Sequence, residues 1–183
     1  SYFDTDSFLN DIKHYVRVMD DIIEENLNNH PLAEQREMSY KYRNIGIGIM
    51  GEADMLIKLQ IKYGSKESLK IIDDIHYNLF RQAIIESVNL AKERGSFPGY
   101  KPELFDSQII KNHFPQEEID LFKKIGIRNS SLLSMAPTGS ISTMLNVSGG
   151  IEPVFAFSHK RRTENINGGQ EYQIYTKIVQ EYF

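Results

Sequence analysis

Two short stretches of this sequence carry residue types that suit a bound phosphate. The first, "RNIGIGIMGEAD" (43–54), spaces Gly46, Gly48 and Gly51 as G-x-G-x-x-G. The second, "PTGSIS" (137–142), joins a glycine to three hydroxyl residues, Thr138, Ser140 and Ser142. A G-x-G-x-x-G fingerprint reads a dinucleotide when a strand precedes it, a helix follows it and an acidic residue ends a second strand roughly twenty positions on. Here "MSYKYRN" before Gly46 is polar and charged, and the corresponding acidic region, Lys70 to Asp74, falls inside a helical pattern. These glycines are expected to serve close packing, on one side of a helix from Ile45 to Leu59.

The second stretch has a better context. The apolar run "SLLSMA" (131–136) reads as a buried strand, and Ile141, Met144 and Leu145 mark the start of a helix. A strand, a Gly/Ser/Thr turn and a helix start present unpaired N–H groups and the positive end of a helix dipole to an anion. Gly139 allows close backbone approach, and the hydroxyls add donors. No Lys follows the glycine, so this is not a P-loop. The same pattern also describes an ordinary helix with Ser140 as its N-cap and no ligand.

The elements that must position these residues follow from periodicity. Phe8, Ile12, Tyr15, Val16, Met19, Ile22 and Ile23 predict an amphipathic helix over 6–27, ended by Asn28, Asn29 and Pro31. A charged connector, "LAEQREMSYKYRN", leads to the first glycine stretch. Ser65 is the expected N-cap of a long helix to Arg94, with Phe80, Ile84, Val88 and Ala91 on its buried face and Gly95 as its stop. Shorter helices are expected over 102–112 and 116–125. "INGG" (166–169) reads as a hairpin or loop tip and "HKRRT" (159–163) as a solvated loop. Tyr172, Tyr175 and Tyr182 fall at helical spacing. The pairs Asp20-Asp21, Glu24-Glu25 and Asp73-Asp74 are expected on solvated helix faces. His14, His30, His76, His113 and His159 show no metal-ligand spacing and are expected at surface or capping positions.

Composition bounds the function. The net charge is −4 over 183 residues with no basic pole, against a sequence-independent grip on nucleic acid. No apolar run reaches membrane-spanning length and no leader pattern opens the chain, so a cytoplasmic location without membrane partners is expected. The chain has no Cys, which removes disulfides, thiolate metal sites and thiol radicals from its own chemistry. Asn129 and Asn146 would be glycosylation acceptors only in a secreted protein. The chain opens on Ser1 and closes on "KIVQEYF" in an unfinished apolar-polar rhythm, the look of a piece of a longer protein.

The order "RNSSL", "APTGSIS", "GGIEP", with the earlier "RNIGIGIMGEAD" and "AKERGSFP", resembles the C-terminal half of the catalytic barrel of ribonucleotide reductase large subunits, nearest to cobalamin-dependent and related types. The resemblance spans roughly residues 8–165. It implies an α/β fold, a mostly helical fragment of a ten-stranded α/β barrel, with residues 1–183 as the C-terminal portion of that domain. It implies that Pro137, Thr138, Gly139, Ser140 and Ile141 bind the phosphates of a nucleoside di- or triphosphate substrate. It also implies a thiyl-radical reaction whose Cys residues this chain lacks, so that the fragment has no catalytic residue and no cofactor of its own. Adenosylcobalamin or a metal-radical subunit would serve the parent enzyme; the remainder of the barrel and a second copy in a homo-oligomer would be its protein partners. The competing reading is a stand-alone helical module that binds another phospho-ligand or a partner.

Overall fold

Residues 2–156, 158–163, 169–175 and 177–182 are described by the structure, a computed structural model. Helix α1 (Thr5–Leu27) begins where the Asp4 side chain accepts from the Ser7 N–H at 3.0 Å, and stops at Asn28. Its buried stripe is narrower than expected: Ile12 and Val16 are buried, but Tyr15 and Ile22 are exposed. The stripe continues through Asp20, which is fully buried. The expectation of a solvated Asp20 is therefore corrected; the spacing 12–16–20 placed it on the core face.

The expected connector is a helix, α2 (Ala33–Tyr42), which buries none of its residues and so gave no apolar stripe. It ends at Arg43 in the left-handed region, φ 47°. The expected helix over 45–59 is also corrected. Residues 45–47 are extended, with Ile45 and Ile47 buried and Gly46 between them exposed, and only α3 (Glu52–Lys58) is helical. The alternation of isoleucine and glycine is the period of a strand. Residues 131–134 lie parallel to this segment. Ile45 N–H donates to Ser131 O at 2.9 Å, Ile47 N–H to Leu132 O at 2.8 Å, and Ser134 N–H to Ile47 O at 3.0 Å. The pairing amounts to one bridge, Ile47 to Leu133, and of 131–136 only Leu132 is buried, so the expected buried strand is a short pair instead. A Cβ on Gly46 would come within 3.0 Å of Ser134 Cβ, which makes the glycine a condition of this close approach.

Helix α4 (Lys66–Arg94) matches its expected bounds, with Ser65 Oγ accepting from Ser68 N–H at 3.1 Å and Gly95 at φ +80° beyond its end. A 3-10 turn (Pro102–Asp106), α5 (Gln108–His113) and α6 (Gln116–Ile125) follow. Phe105, Phe114 and Phe122 close the core there, with ring centroids 5.2 Å apart for Phe114–Phe122 and 5.7 Å for Phe105–Phe122. His113 stacks on Tyr77 with centroids 5.0 Å apart and meets Ile109 O through Nδ1.

The chain forms two compact units. One holds residues 3–47 and 71–134, the other residues 48–70 and 135–183 with Ser1 and Tyr2. In the second unit, α7 (Gly139–Leu145) is followed by an antiparallel hairpin of β1 (Ser158–Thr163) and β2 (Gln170–Tyr175), then α8 (Lys177–Tyr182). "HKRRT" is thus a strand, not a loop, because it has a partner in β2. Tyr172 and Tyr175 belong to β2 and Tyr182 to α8, so they do not share a helical face. Of the expected tip "INGG", residues 166–168 lie outside the described residues. Among the described residues, no helix is long and apolar enough to cross a membrane. Among the described residues the fold is mostly helical, as expected, with a single parallel bridge and one hairpin as sheet content.

In the first unit, buried charge sets the register. Asp20 accepts from Arg43 at 2.8 Å, Arg94 at 3.1 Å, Arg128 at 3.3 Å and the Asn129 amide at 3.1 Å. Asn129 also donates to Arg43 O at 3.1 Å and accepts from Ser87 Oγ at 2.9 Å. Arg128 donates to Arg94 O and Gly95 O, the loose carbonyls at the end of α4. Burial pushes the Asp20 carboxyl up, but the hydrogen bonds and charge of Arg43, then the charge of Arg128 and the Asn129 amide, outweigh it and hold the group below the usual carboxylate range. A carboxyl depressed on folding stabilises the fold above its unfolded pKa, about 3.9, and that stability is lost as pH falls through the folded value. Asp20→Ala leaves buried guanidinium groups uncompensated and is expected to cost about 3–5 kcal/mol in urea unfolding at pH 7. The gap between variant and parent chain should narrow as the pH is lowered through the acid range; a constant gap would place the stabilisation elsewhere.

Candidate functional site

The turn at 137–141 is built from the backbone outward. Pro137 is exposed, Thr138 adopts the left-handed region at φ 52°, ψ 23°, and Gly139, Ser140 and Ile141 form the first turn of α7. The five predicted residues therefore make one continuous corner. Thr138 is the N-cap, in place of the expected Ser140, and its side chain makes no capping bond to the helix. Its Oγ1 accepts instead from Gly150 N–H at 2.8 Å. Ser142 N–H donates to Thr138 O at 2.9 Å, which closes the first turn.

An α-helix leaves its first N–H groups without acceptors of its own. Helix α7 starts at a glycine with nothing within 4 Å of the place where its Cβ would stand. The corner is open on that side, and Ser140 is exposed beside it. Such a corner can hold a phosphate by N–H donors, the helix dipole and a hydroxyl.

Behind the corner, residues 147–152 form a strap. A Cβ on Gly149 would come within 3.2 Å of Pro137 O, and one on Gly150, whose φ is +48°, within 3.0 Å of Ala136 O. Gly150 thus meets both a left-handed backbone and a tight contact that exclude a side chain. Tyr63 OH donates to Ile151 O at 2.7 Å, and Glu152 N–H to Gly149 O at 2.9 Å. At the other end, Gly51 N–H donates to Ser148 O at 2.9 Å, and Asp54 Oδ2 accepts from Ser148 N–H at 2.5 Å. Gly51 stands at φ +79° as the N-cap of α3. The three glycines of the fingerprint thus have different surroundings: Gly46 belongs to the extended pair, Gly48 follows it, and Gly51 starts a helix.

Sequence reading missed Asp54 and Ser148, both buried. "GGIEP" marked the strap by resemblance, yet nothing in residue type told that Gly150 would bond Thr138. Asn129 is buried and held by three partners, so it is no glycosylation acceptor in this fold. Among the described residues, no three His, Asp or Glu side chains converge on a metal-sized site.

A family model described as "Ribonucleotide reductase, barrel domain" matches residues 1–182. The chain belongs to this family. The ribonucleoside-diphosphate reductase subunit alpha of Chlamydia pneumoniae is 29% identical over 179 residues, covering 84% of this chain and 16% of that protein. The vitamin B12-dependent ribonucleoside-diphosphate reductase of Thermoplasma acidophilum is 36% identical over 155 residues, with 85% and 18% covered. The subunit alpha of Helicobacter pylori is 34% identical over 176 residues, with 84% and 21% covered. The chain thus spans between 16 and 21% of the length of these curated relatives.

Helix α7 leaves several apolar side chains in the open. Ile141 is 47% exposed, Met144 72% and Leu145 53%. Met144→Lys is expected to reduce binding of a dye for apolar surfaces and leave stability within about 0.5 kcal/mol, as for an ordinary surface substitution. A loss of several kcal/mol would show that Met144 is packed in solution.

Proposed function

We infer that this chain is part of a ribonucleotide reductase catalytic subunit and supplies its substrate-phosphate corner. The observation that carries the reading is the turn at Thr138: a left-handed residue, buttressed by Gly150, that presents the first turn of α7 and an open Gly139. The match over residues 1–182 supports this reading against a stand-alone module. The relatives named above are diphosphate reductases, which favours a ribonucleoside diphosphate as substrate. In the parent, the ten-stranded barrel would wall in the base and ribose, and the corner would hold the phosphates.

The residues here bind and orient; they do not react. Backbone N–H groups of 139–141 and the Ser140 hydroxyl meet the phosphate oxygens. Thr138 Oγ1, already accepting from Gly150, keeps its own proton for donation. Replacement of the ribose 2′-hydroxyl by hydrogen through a thiyl radical requires a Cys, and this chain has none. Adenosylcobalamin or a metal-radical subunit would serve the parent enzyme, and no step assigned to these residues passes through either. Location in the cytoplasm and homo-oligomeric assembly belong to the same proposal for the parent.

Alone, the corner lacks walls for base and ribose, so a nucleoside diphosphate should bind at about millimolar affinity, about 4 kcal/mol. NMR titration should move the amides of 138–142 and leave those of 46–51 still; the reverse pattern would move the site to the glycine fingerprint. Gly139→Val meets no protein atom within 4 Å at its Cβ, so it should preserve the fold while blocking approach of the ligand. Ser140→Ala should weaken binding by about 1 kcal/mol.

With a dithiol reductant and adenosylcobalamin, the chain should yield only background deoxyribonucleotide. Product in proportion to protein would refute the division of labour.

A further inference from the structure

We propose that Asp54 is a positioning residue for the phosphate corner, acting through the strap at 148–150. The proposal rests on the reading of 137–141 as the phosphate corner and adds the residue that holds it in shape. Asp54 is 6% exposed and Ser148 9% exposed. Asp54 Oδ2 takes the Ser148 N–H at 2.5 Å. Gly51 N–H returns a bond to Ser148 O at 2.9 Å, so the N-terminal turn of α3 grips both faces of one peptide residue. Two residues on, Gly150 N–H reaches Thr138 Oγ1. The path from Asp54 to the corner thus runs through two hydrogen bonds and three consecutive residues.

The cost of this arrangement argues that its geometry matters. Asp54 Oδ1 and Ser148 Oγ are buried and have no hydrogen-bond partner in the protein. A buried polar atom without a partner is unfavourable by about 1–3 kcal/mol, and an apolar side chain would fill the same space without that penalty. What a leucine cannot do is accept the Ser148 N–H. Without that bond the strap is held at this end by Gly51 and by Val147 N–H, which donates to Ser142 O at 3.0 Å, and Gly150 is less firmly fixed against Thr138. The corner would then sample other conformations.

The test uses the full chain with inorganic pyrophosphate as probe. Asp54→Leu keeps bulk and removes the acceptor; Asp54→Asn keeps an acceptor oxygen; Gly150→Ala strains the strap from its far end without touching Asp54. Asp54→Leu and Gly150→Ala should weaken pyrophosphate binding by about fivefold or more, the size of one lost hydrogen bond. Asp54→Asn should remain within about twofold of the parent chain. Hydrogen exchange should accelerate at the Gly150 and Ser142 amides in Asp54→Leu and stay unchanged along α4. If Asp54→Leu melts earlier but binds pyrophosphate as the parent chain does, Asp54 is only structural and the proposal falls. Should Asp54→Leu not fold, unchanged binding in Gly150→Ala overturns the proposal equally. If the parent chain itself shows no pyrophosphate binding, the phosphate reading fails, and the exchange rates of Gly150 and Ser142 still decide whether Asp54 fixes the corner.

Discussion

The buried carboxylate of Asp20 is the constraint on which the larger unit depends. One side chain on α1 meets Arg43 beyond α2, Arg94 at the end of α4, and Arg128 with Asn129 at the start of the second extended segment. Three of these partners are also tied to backbone: Arg43 to Asp20 O, Arg128 to the last carbonyls of α4, Asn129 to Arg43 O. Taking these charges out of water is unfavourable, and the arrangement holds because nearly every donor and acceptor in it is matched. Its benefit is placement. Arg43 and Asn129 stand immediately before the two extended segments, so fixing them fixes the parallel register of 45–47 against 131–134.

The parallel pairing in this unit is short. A parallel strand pair ordinarily has neighbours on both edges and helices over its faces. In this chain the pair consists of a single bridge, and Gly46 lets the two segments come close enough to form it. The chain spans about a fifth or less of the length of the relatives it matches, and Ile141, Met144 and Leu145 of α7 are exposed.

The smaller unit shows the same logic at lower cost. The corner at 137–141 opens a seven-residue helix started by a left-handed threonine. A helix that short has little stability of its own. Its shape is set from behind, by glycines pressed against the carbonyls of 136 and 137 and by a hydroxyl that bonds the strap instead of capping the helix.

Residue pattern alone determined the long elements and the location of the corner. Helix α4 was legible from Ser65 to Gly95 because cap, apolar stripe and stop are all local features. The turn before α7 was legible because a glycine among hydroxyls ahead of an apolar pattern marks a helix start, and the resemblance in "PTGSIS" and "GGIEP" named its family. The helix over 45–59 was misread: Ile45, Ile47 and Ile49 alternate with period two, but the apolar run through Leu59 suggested a single helix. Helix α2 escaped notice because it buries nothing. Tertiary structure alone decided the roles of Asp20, Asp54 and Thr138. An acidic residue on a helix is solvated or buried according to which cations other segments bring to it, and those segments lie 23 residues away at Arg43 and 108 at Arg128. No local pattern encodes a partner at that distance, so the charge network and the strap became visible only once the chain was folded.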